Sequence, residues 1–265
     1  MPPEEPVTPP PTPPAPNRWS QFRSSHWYDF LTETRVIVAL FLLATSLFVF
    51  IEITDEVMEN ETRHIDETIL LWFRNPADVH ESIGPGWLKT VMMDITALGG
   101  TTVLVAILLI TLGSLWITKK YKAMLLIAVA AVGGQVFNST LKFLFMRPRP
   151  EIVPHLTEVH TPSFPSGHSM MSAIIYLTLA ALLSLLVKQR RLQVYMLSVA
   201  MLLTALIGFS RVFLGVHYPT DVVAGWTAGL AWALLCLLFG RLLQRRGAVE
   251  PPRNVANGEE ASDNG

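Results

Sequence analysis

"VIVALFLLATSLFVFIEIT", residues 36–54, decides the fold. A helix that crosses a bilayer needs about 20 mostly apolar residues, and a backbone group left unpaired in lipid costs several kcal/mol, so a run of this length and character reads as a membrane-spanning helix. Five more stretches of the same kind follow, near 96–117, 123–144, 168–187, 193–214 and 221–240. The third of the six is interrupted by Gln135, Asn138, Ser139 and Thr140. The chain as a whole is 51% hydrophobic and 15% charged, with a mean hydropathy of +0.40, too apolar for a soluble domain of this length. The expected fold class is therefore all-α: an integral membrane bundle of six transmembrane helices, and not a barrel.

The net charge of −1 hides a strong asymmetry. Arg18, Arg23 and Arg35 precede the first span, Lys119, Lys120 and Lys122 join the second to the third, and Lys188, Arg190 and Arg191 join the fourth to the fifth; Arg241, Arg245, Arg246 and Arg253 follow the sixth. In a six-span arrangement all of these fall on one side, which the positive-inside rule makes cytoplasmic, with both termini in the cytosol. Three regions result: a proline-rich tail and juxtamembrane segment (1–35), the six-span domain (36–240), and a basic and then polar tail (241–265). The stretch "MPPEEPVTPPPTPPAPN" and the residues from Gly247 onward cannot pack a core and read as disordered. No cleavable signal peptide is apparent; the first hydrophobic run starts late and is long enough to remain as an anchor. Cys236 lies within span six and forms no internal disulfide.

The opposite face holds an anomaly. Arg63, Arg74 and Lys89 belong to the long first loop, but Lys142, Arg147, Arg149 and Arg211 sit where spans three and five meet the outer interface. One such cation would simply snorkel to the headgroups. Four together, beside two histidines and an aspartate, call for another reading. Three segments converge there by topology: "KFLFMRPRP" (142–150) ends span three, "PSGH" (165–168) opens span four, and "SRVFLGVHYPTD" (210–221) ends span five and opens span six.

In order and internal spacing these segments resemble the tripartite signature of the type 2 phosphatidic acid phosphatase family, which also includes glucose-6-phosphatase, lipid pyrophosphate phosphatases and vanadium haloperoxidases. The resemblance covers roughly residues 36–240. It implies that His217 forms a covalent phosphohistidine, that His168 protonates the leaving group and then activates water, and that Lys142, Arg149, Arg211, Ser166 and Gly167 hold the phosphate.

The residues can do this chemistry. Phosphate ester cleavage needs a nucleophile, a proton donor and fixed positive charge for the phosphoryl oxygens. Lys142, Arg149 and Arg211 supply the charge, and Arg147 is a spare cation. Ser166 is suited to cap a helix start whose free N–H groups face an anion, and Gly167 permits close backbone approach. Pro219 fits the first position of a helix and Asp221 its first turn, from which the carboxylate can accept a hydrogen bond from one ring nitrogen of His217 and leave the other free to attack phosphorus. The set requires no metal and no cofactor, and the implied partner is a lipid phosphate in the membrane, with no nucleic acid. Phosphatidic acid, phosphatidylglycerol phosphate, diacylglycerol pyrophosphate and undecaprenyl pyrophosphate are the candidate substrates by resemblance. A bacterial inner membrane with a periplasmic site is the expected setting.

Other features receive plainer readings. The acidic first loop (Asp55, Glu56, Glu59, Glu61, Asp66, Glu67) reads as solvated, and "HIDETILLWFRNP" (64–76) as an interfacial helix acting as a lid or lipid-entrance element. His26, His64, His80, His155 and His160 read as solvated. The glycine pairs at 99–100 and 133–134 read as close-packing points, and Trp72, Trp87, Trp116 and Trp226 as interface anchors. Two other functions compete for the same site: a lipid phosphotransferase, and a carrier that uses the cations to bind an anion. A soluble-type haloperoxidase is disfavoured by the six spans.

Overall fold

A computed structural model describes the backbone of residues 18–157 and 161–245 and the side chains of residues 34–157 and 161–244. The two expected disordered tails, the side chains of Arg18, Arg23, His26 and Arg245, and residues His160, Arg246 and Arg253 lie outside what is described. By its internal contacts the chain divides into residues 1–39 and residues 40–265. Of the first unit the structure describes the start of helix α1; everything below concerns the second.

Helix α1 spans Arg18–Met58. After it come α2 (Arg63–Trp72), a short antiparallel hairpin of β1 (Arg74–Asn75) and β2 (Asp78–Ser82), and then α3 (Gly86–Leu98), α4 (Thr101–Ile117) and α5 (Tyr121–Phe145). The remaining helices are α6 (Gly167–Ser172), which runs through a π-helical turn (Ala173–Leu177) into α7 (Thr178–Ser184), then α8 (Arg190–Phe213) and α9 (Pro219–Arg245). Among the described residues, 5 helices are long and apolar enough to cross a membrane, or 6 when α3 and α4 are taken as one bent span. Among the described residues, the hairpin is the one departure from an all-α architecture.

The second expected span, 96–117, is not a straight helix. It begins in α3 and passes through a 46° bend into α4. Gly100 takes an extended conformation (φ −72°, ψ 149°) that no helix can continue through. A Cβ at Gly99 would lie 2.5 Å from Cγ2 of Ile207, so the pair at 99–100 both breaks the helix and lets α8 come close. The carbonyl of Leu98, freed by the break, accepts a 2.8 Å hydrogen bond from the Tyr176 hydroxyl on the π turn. At 133–134 the close-packing expectation fits the structure: a Cβ would stand 2.8 Å from the Trp232 ring at Gly133 and 2.5 Å from Ile174 at Gly134.

The segment from α6 to α7 is the most enclosed of the spans, packed by α5, α8 and α9. Small residues make this possible. On α9, Gly225 and Gly229 are four apart and so share a face; a Cβ there would lie 2.9 Å from the Ser166 carbonyl and 2.5 Å from the Ala173 Cβ, respectively. Phe41, Ile110, Val129, Phe143 and Leu202 point outward as apolar surface for lipid. Trp72, Trp87 and Trp116 are exposed, as anchors should be. Trp226 is not: its ring fills the space above Gly208, 2.3 Å from where a Cβ would be, and its Nε1 donates to the Thr204 carbonyl.

Candidate active site

Three chain reversals build one end of the bundle. Helix α5 stops at Met146, which takes a left-handed conformation (φ 44°) before "RPRP", where Pro148 and Pro150 bar further helix. Helix α8 closes with two bonds, Gly215 N to the Val212 carbonyl (2.9 Å) and Val216 N to the Arg211 carbonyl (3.2 Å), around Gly215 at φ +74°. A side chain at Gly215 would also collide with Nη2 of Arg74, so the position needs glycine twice over. Four residues after Gly215, Pro219 begins α9. Asp221 reaches back from its first turn and accepts from the Tyr218 N–H at 2.9 Å, which fixes the carboxylate beside the helix start. At the third reversal, Ser166 precedes α6 as its N-cap residue, but its hydroxyl caps no N–H and instead accepts from Ser169 Oγ at 3.0 Å. Gly167 serves a spatial purpose, since a Cβ there would lie 3.0 Å from Cε of Lys142.

Lys142, Arg149, Gly167, His168, Arg211 and His217 line one cavity of about 760 Å³. Ser166 and Asp221 lie directly behind it, fully buried, and are joined by a 3.0 Å bond from Ser166 N to the Asp221 carbonyl. Beyond this cationic end the lining passes Gln135, Asn138 and Ser139 of α5 and continues along Leu104, Val105 and Leu108 of α4 and Ala131 and Val132 of α5, so one continuous space is charged at one end and mostly apolar along the other. Gly99, at the helix break, also lines this cavity and packs beside the His168 ring.

The cations are held by backbone and hydroxyl oxygens and not by carboxylates. Lys142 Nζ donates to the Pro162 carbonyl (2.9 Å). Arg149 donates through Nε to the Thr161 carbonyl (2.7 Å) and through Nη1 to the Val216 carbonyl (2.6 Å). Arg211, 3% exposed, donates through Nη1 to Thr96 Oγ1 (3.1 Å), and its buried Nε has no partner. An unpaired buried donor on a cation at a cavity is what an anion would satisfy.

His217 is 1% exposed. Its Nδ1 faces Asp221 Oδ2 at 3.4 Å, and its Nε2 faces Arg149 Nη1 at 3.2 Å. A guanidinium only donates, so Nε2 is the accepting nitrogen and the ring proton sits on Nδ1, towards the carboxylate. Burial lowers the imidazole to about 3, with Asp221 opposing and Arg211 and Arg149 assisting, so the ring is neutral near pH 7. An unfolded histidine protonates near 6.5, so between these values the unfolded chain binds more protons. The associated stability is full above about pH 6.5 and is lost as pH falls toward 3. Thermal unfolding in detergent is expected to show a Tm that drops between pH 7 and pH 4, and to drop less in His217→Gln; equal slopes would contradict this.

Three residues of the site carry no local sequence signal, and two expectations are corrected by them. Arg147 is not a spare cation: Nη1 donates to Asp221 Oδ1 (2.6 Å), Nη2 to Asp66 Oδ2 (3.0 Å), and its guanidinium stacks 4.3 Å above the Tyr218 ring. Asp66 is not solvated but fully buried, accepting also from Thr220 N (3.0 Å) and Thr220 Oγ1 (2.6 Å). It pins α2 in place, together with buried Leu70, so this helix is an anchored element and not a free lid. Ser163 donates to Asp221 Oδ2. His64, His80 and His155 are exposed, as expected, and His155 also bonds the Pro150 carbonyl (2.7 Å). Among the described residues, no group of three or more His, Cys, Asp or Glu is arranged to hold a metal ion.

A profile of the PAP2 superfamily matches residues 122–245. The chain is 35% identical over 164 residues to phosphatidylglycerophosphatase B of Bacillus subtilis (strain 168), covering 60% of this chain and 78% of that protein. It is 29% identical over 167 residues to undecaprenyl-diphosphatase BcrC of the same organism, covering 59% and 77%. The crystal structure of a transmembrane PAP2-type phosphatidylglycerolphosphate phosphatase from Bacillus subtilis superposes with a TM-score of 0.68 at 29% identity, over 77% of this chain and 98% of that one. Aquifex aeolicus LpxE superposes with a TM-score of 0.50 at 26% identity, over 66% and 95%.

Proposed function

We propose that this chain, which belongs to the PAP2 superfamily, is an integral-membrane hydrolase that removes a terminal phosphate from a lipid phosphate or pyrophosphate through a phosphohistidine at His217. The observation that carries the reading is the single cavity with a cationic end and an apolar arm. Its shape and polarity match an amphiphile whose phosphate meets Lys142, Arg149 and Arg211 while its hydrocarbon lies along α4 and α5.

The geometry supports the following course. Phosphate oxygens draw the Arg149 guanidinium off the Nε2 lone pair, which sits 3.2 Å away, and engage the unpaired Nε of Arg211 and the Lys142 ammonium. The Nε2 lone pair then forms the N–P bond as the bond from phosphorus to the leaving oxygen breaks. That oxygen keeps the bonding electrons and takes a proton from His168. The positive charge that develops on the His217 ring is offset by Asp221 through Nδ1–H. In the second half, His168 takes a proton from water, whose oxygen attacks phosphorus, and the N–P bond breaks to return neutral His217 and free phosphate.

The positive-inside bias supports a site on the outer leaflet with both termini in the cytosol, and a bacterial inner membrane with a periplasmic site is the setting we favour. The substrates named for the relatives bring phosphatidylglycerol phosphate and undecaprenyl pyrophosphate forward as the first candidates, beside phosphatidic acid and diacylglycerol pyrophosphate. The test is phosphate release by protein purified in detergent, with no gradient present, from a panel of these four lipids. Turnover of at least one is expected; no turnover of any would overturn the reading and leave an anion carrier in its place. The charge clamp is built from side chains, so activity is expected to survive EDTA. Complete loss that magnesium restores would contradict a metal-independent reaction.

A further inference from the structure

We infer that Asp66 and Arg147 form a positioning couple that holds the Asp221 carboxylate against His217, an inference that rests on the function proposed above. The two residues stand 81 positions apart and meet where α2 packs on the start of α9. Asp221 offers two oxygens. Oδ2 receives Tyr218 N, Ser163 Oγ and His217 Nδ1, while Oδ1 receives the 2.6 Å bond from Arg147. Without Arg147, Oδ1 of a fully buried carboxylate loses its charged partner, and only the bonds to Oδ2 remain to hold the group.

Arg147 in turn needs a holder. Its side chain leaves an extended, helix-barred stretch and is 10% exposed. Asp66 supplies the hold, binding Nη2 with Oδ2 and the Thr220 backbone and hydroxyl with both oxygens, so α2 is tied to the same helical turn that carries Asp221. The Tyr218 ring supports the guanidinium from below. The other charges around Asp221 are His217 on its own turn and Lys142, Arg149 and Arg211 across the cavity; Arg63 and Glu67 of α2 face Tyr218 further out and pair with each other at 2.9 Å. None of these reaches Oδ1. Neither Asp66 nor Arg147 lines the cavity, so the couple acts through Asp221 and not on the substrate.

The experiment is rapid-quench labelling of full-length protein in detergent, using a ³²P-labelled lipid phosphate or pyrophosphate that the wild type turns over. It compares wild type, Asp66→Asn, Arg147→Gln, Arg147→Lys and the double variant Asp66→Asn/Arg147→Gln. With enzyme in excess over substrate, a positioning role predicts a slower single-turnover rate at an unchanged reacting fraction: about 10²-fold for Arg147→Gln and about 10-fold for Asp66→Asn, with KM little changed because the phosphate-holding cations are intact. Arg147→Lys should recover part of the rate. The double variant should be no slower than Arg147→Gln alone, because Asp66 acts only through Arg147. A reduced reacting fraction at the wild-type rate would reveal a merely structural tie and overturn the inference, as would fully additive losses or unchanged single-turnover rates in the single variants. A wild type that turns over but forms no labelled phosphoenzyme would instead overturn the phosphohistidine reading itself, so the two failures are distinct.

Discussion

His217→Ala is expected to abolish turnover, by at least about 10⁴-fold, and to leave no labelled phosphate on the protein. The imidazole is the one group in the cavity that combines an available lone pair, neutrality near pH 7 and a carboxylate placed to receive the positive charge of a phosphorylated ring. Removing it takes away the atom that forms the new bond, and a water molecule in the space left behind would lack both the basicity and the aim of Nε2. His217→Gln offers a second variant of similar size where the smaller side chain loosens the fold. Labelled phosphoenzyme persisting in either variant would assign the nucleophile elsewhere.

The second large effect is expected at His168, where replacement by alanine should slow lipid hydrolysis by about 10²- to 10⁴-fold. The size of the loss should depend on the leaving group. For a monoester such as phosphatidic acid the departing alkoxide needs a proton, whereas p-nitrophenolate leaves readily without one, so the first step on p-nitrophenyl phosphate should survive the substitution far better than the first step on that lipid. The second step still lacks the base that activates water. Phosphoenzyme should therefore accumulate in His168→Ala with the aryl substrate and not with the lipid. An equal loss on both substrates with no accumulation would remove His168 from the proton-transfer role.

Much of this site could be read from the chain because membrane topology does the work that an alignment would otherwise do. Once the apolar runs and the basic loops set the alternation of sides, Lys142, Arg149, His168, Arg211, His217 and Asp221 had to gather at one end, and the structure brings them around one cavity or directly behind it. Asp66 escaped that logic. It sits among five other acids in a loop, where its neighbours are solvated, and only the tertiary fold reveals that one of them is turned inward against Thr220 and Arg147. Ser163 is hidden for a similar reason, as one of four serines in "PSFPSGHSMMSA" (162–173), with its partner 58 residues away. The helix break at 99–100 was visible as a glycine pair but ambiguous, because the same two residues suit close packing, and here they provide both. The spacing of Gly225 and Gly229 was a legible signal for the α6 contact, since small residues four apart share a helix face.

The break also has a consequence for the bilayer. Helix α4 has 17 residues, which at about 1.5 Å per residue gives a rise of about 26 Å, short of a hydrocarbon layer about 30 Å thick. Helix α5, its neighbour across the apolar arm, has 25 residues and spans that thickness with room to spare. Helix α3 completes the crossing after the 46° bend. Gly99 and Thr101, on either side of that bend, line the cavity, so the straight part of the span ends where the cationic end begins, and backbone groups freed from helical pairing stand at the depth of the phosphate.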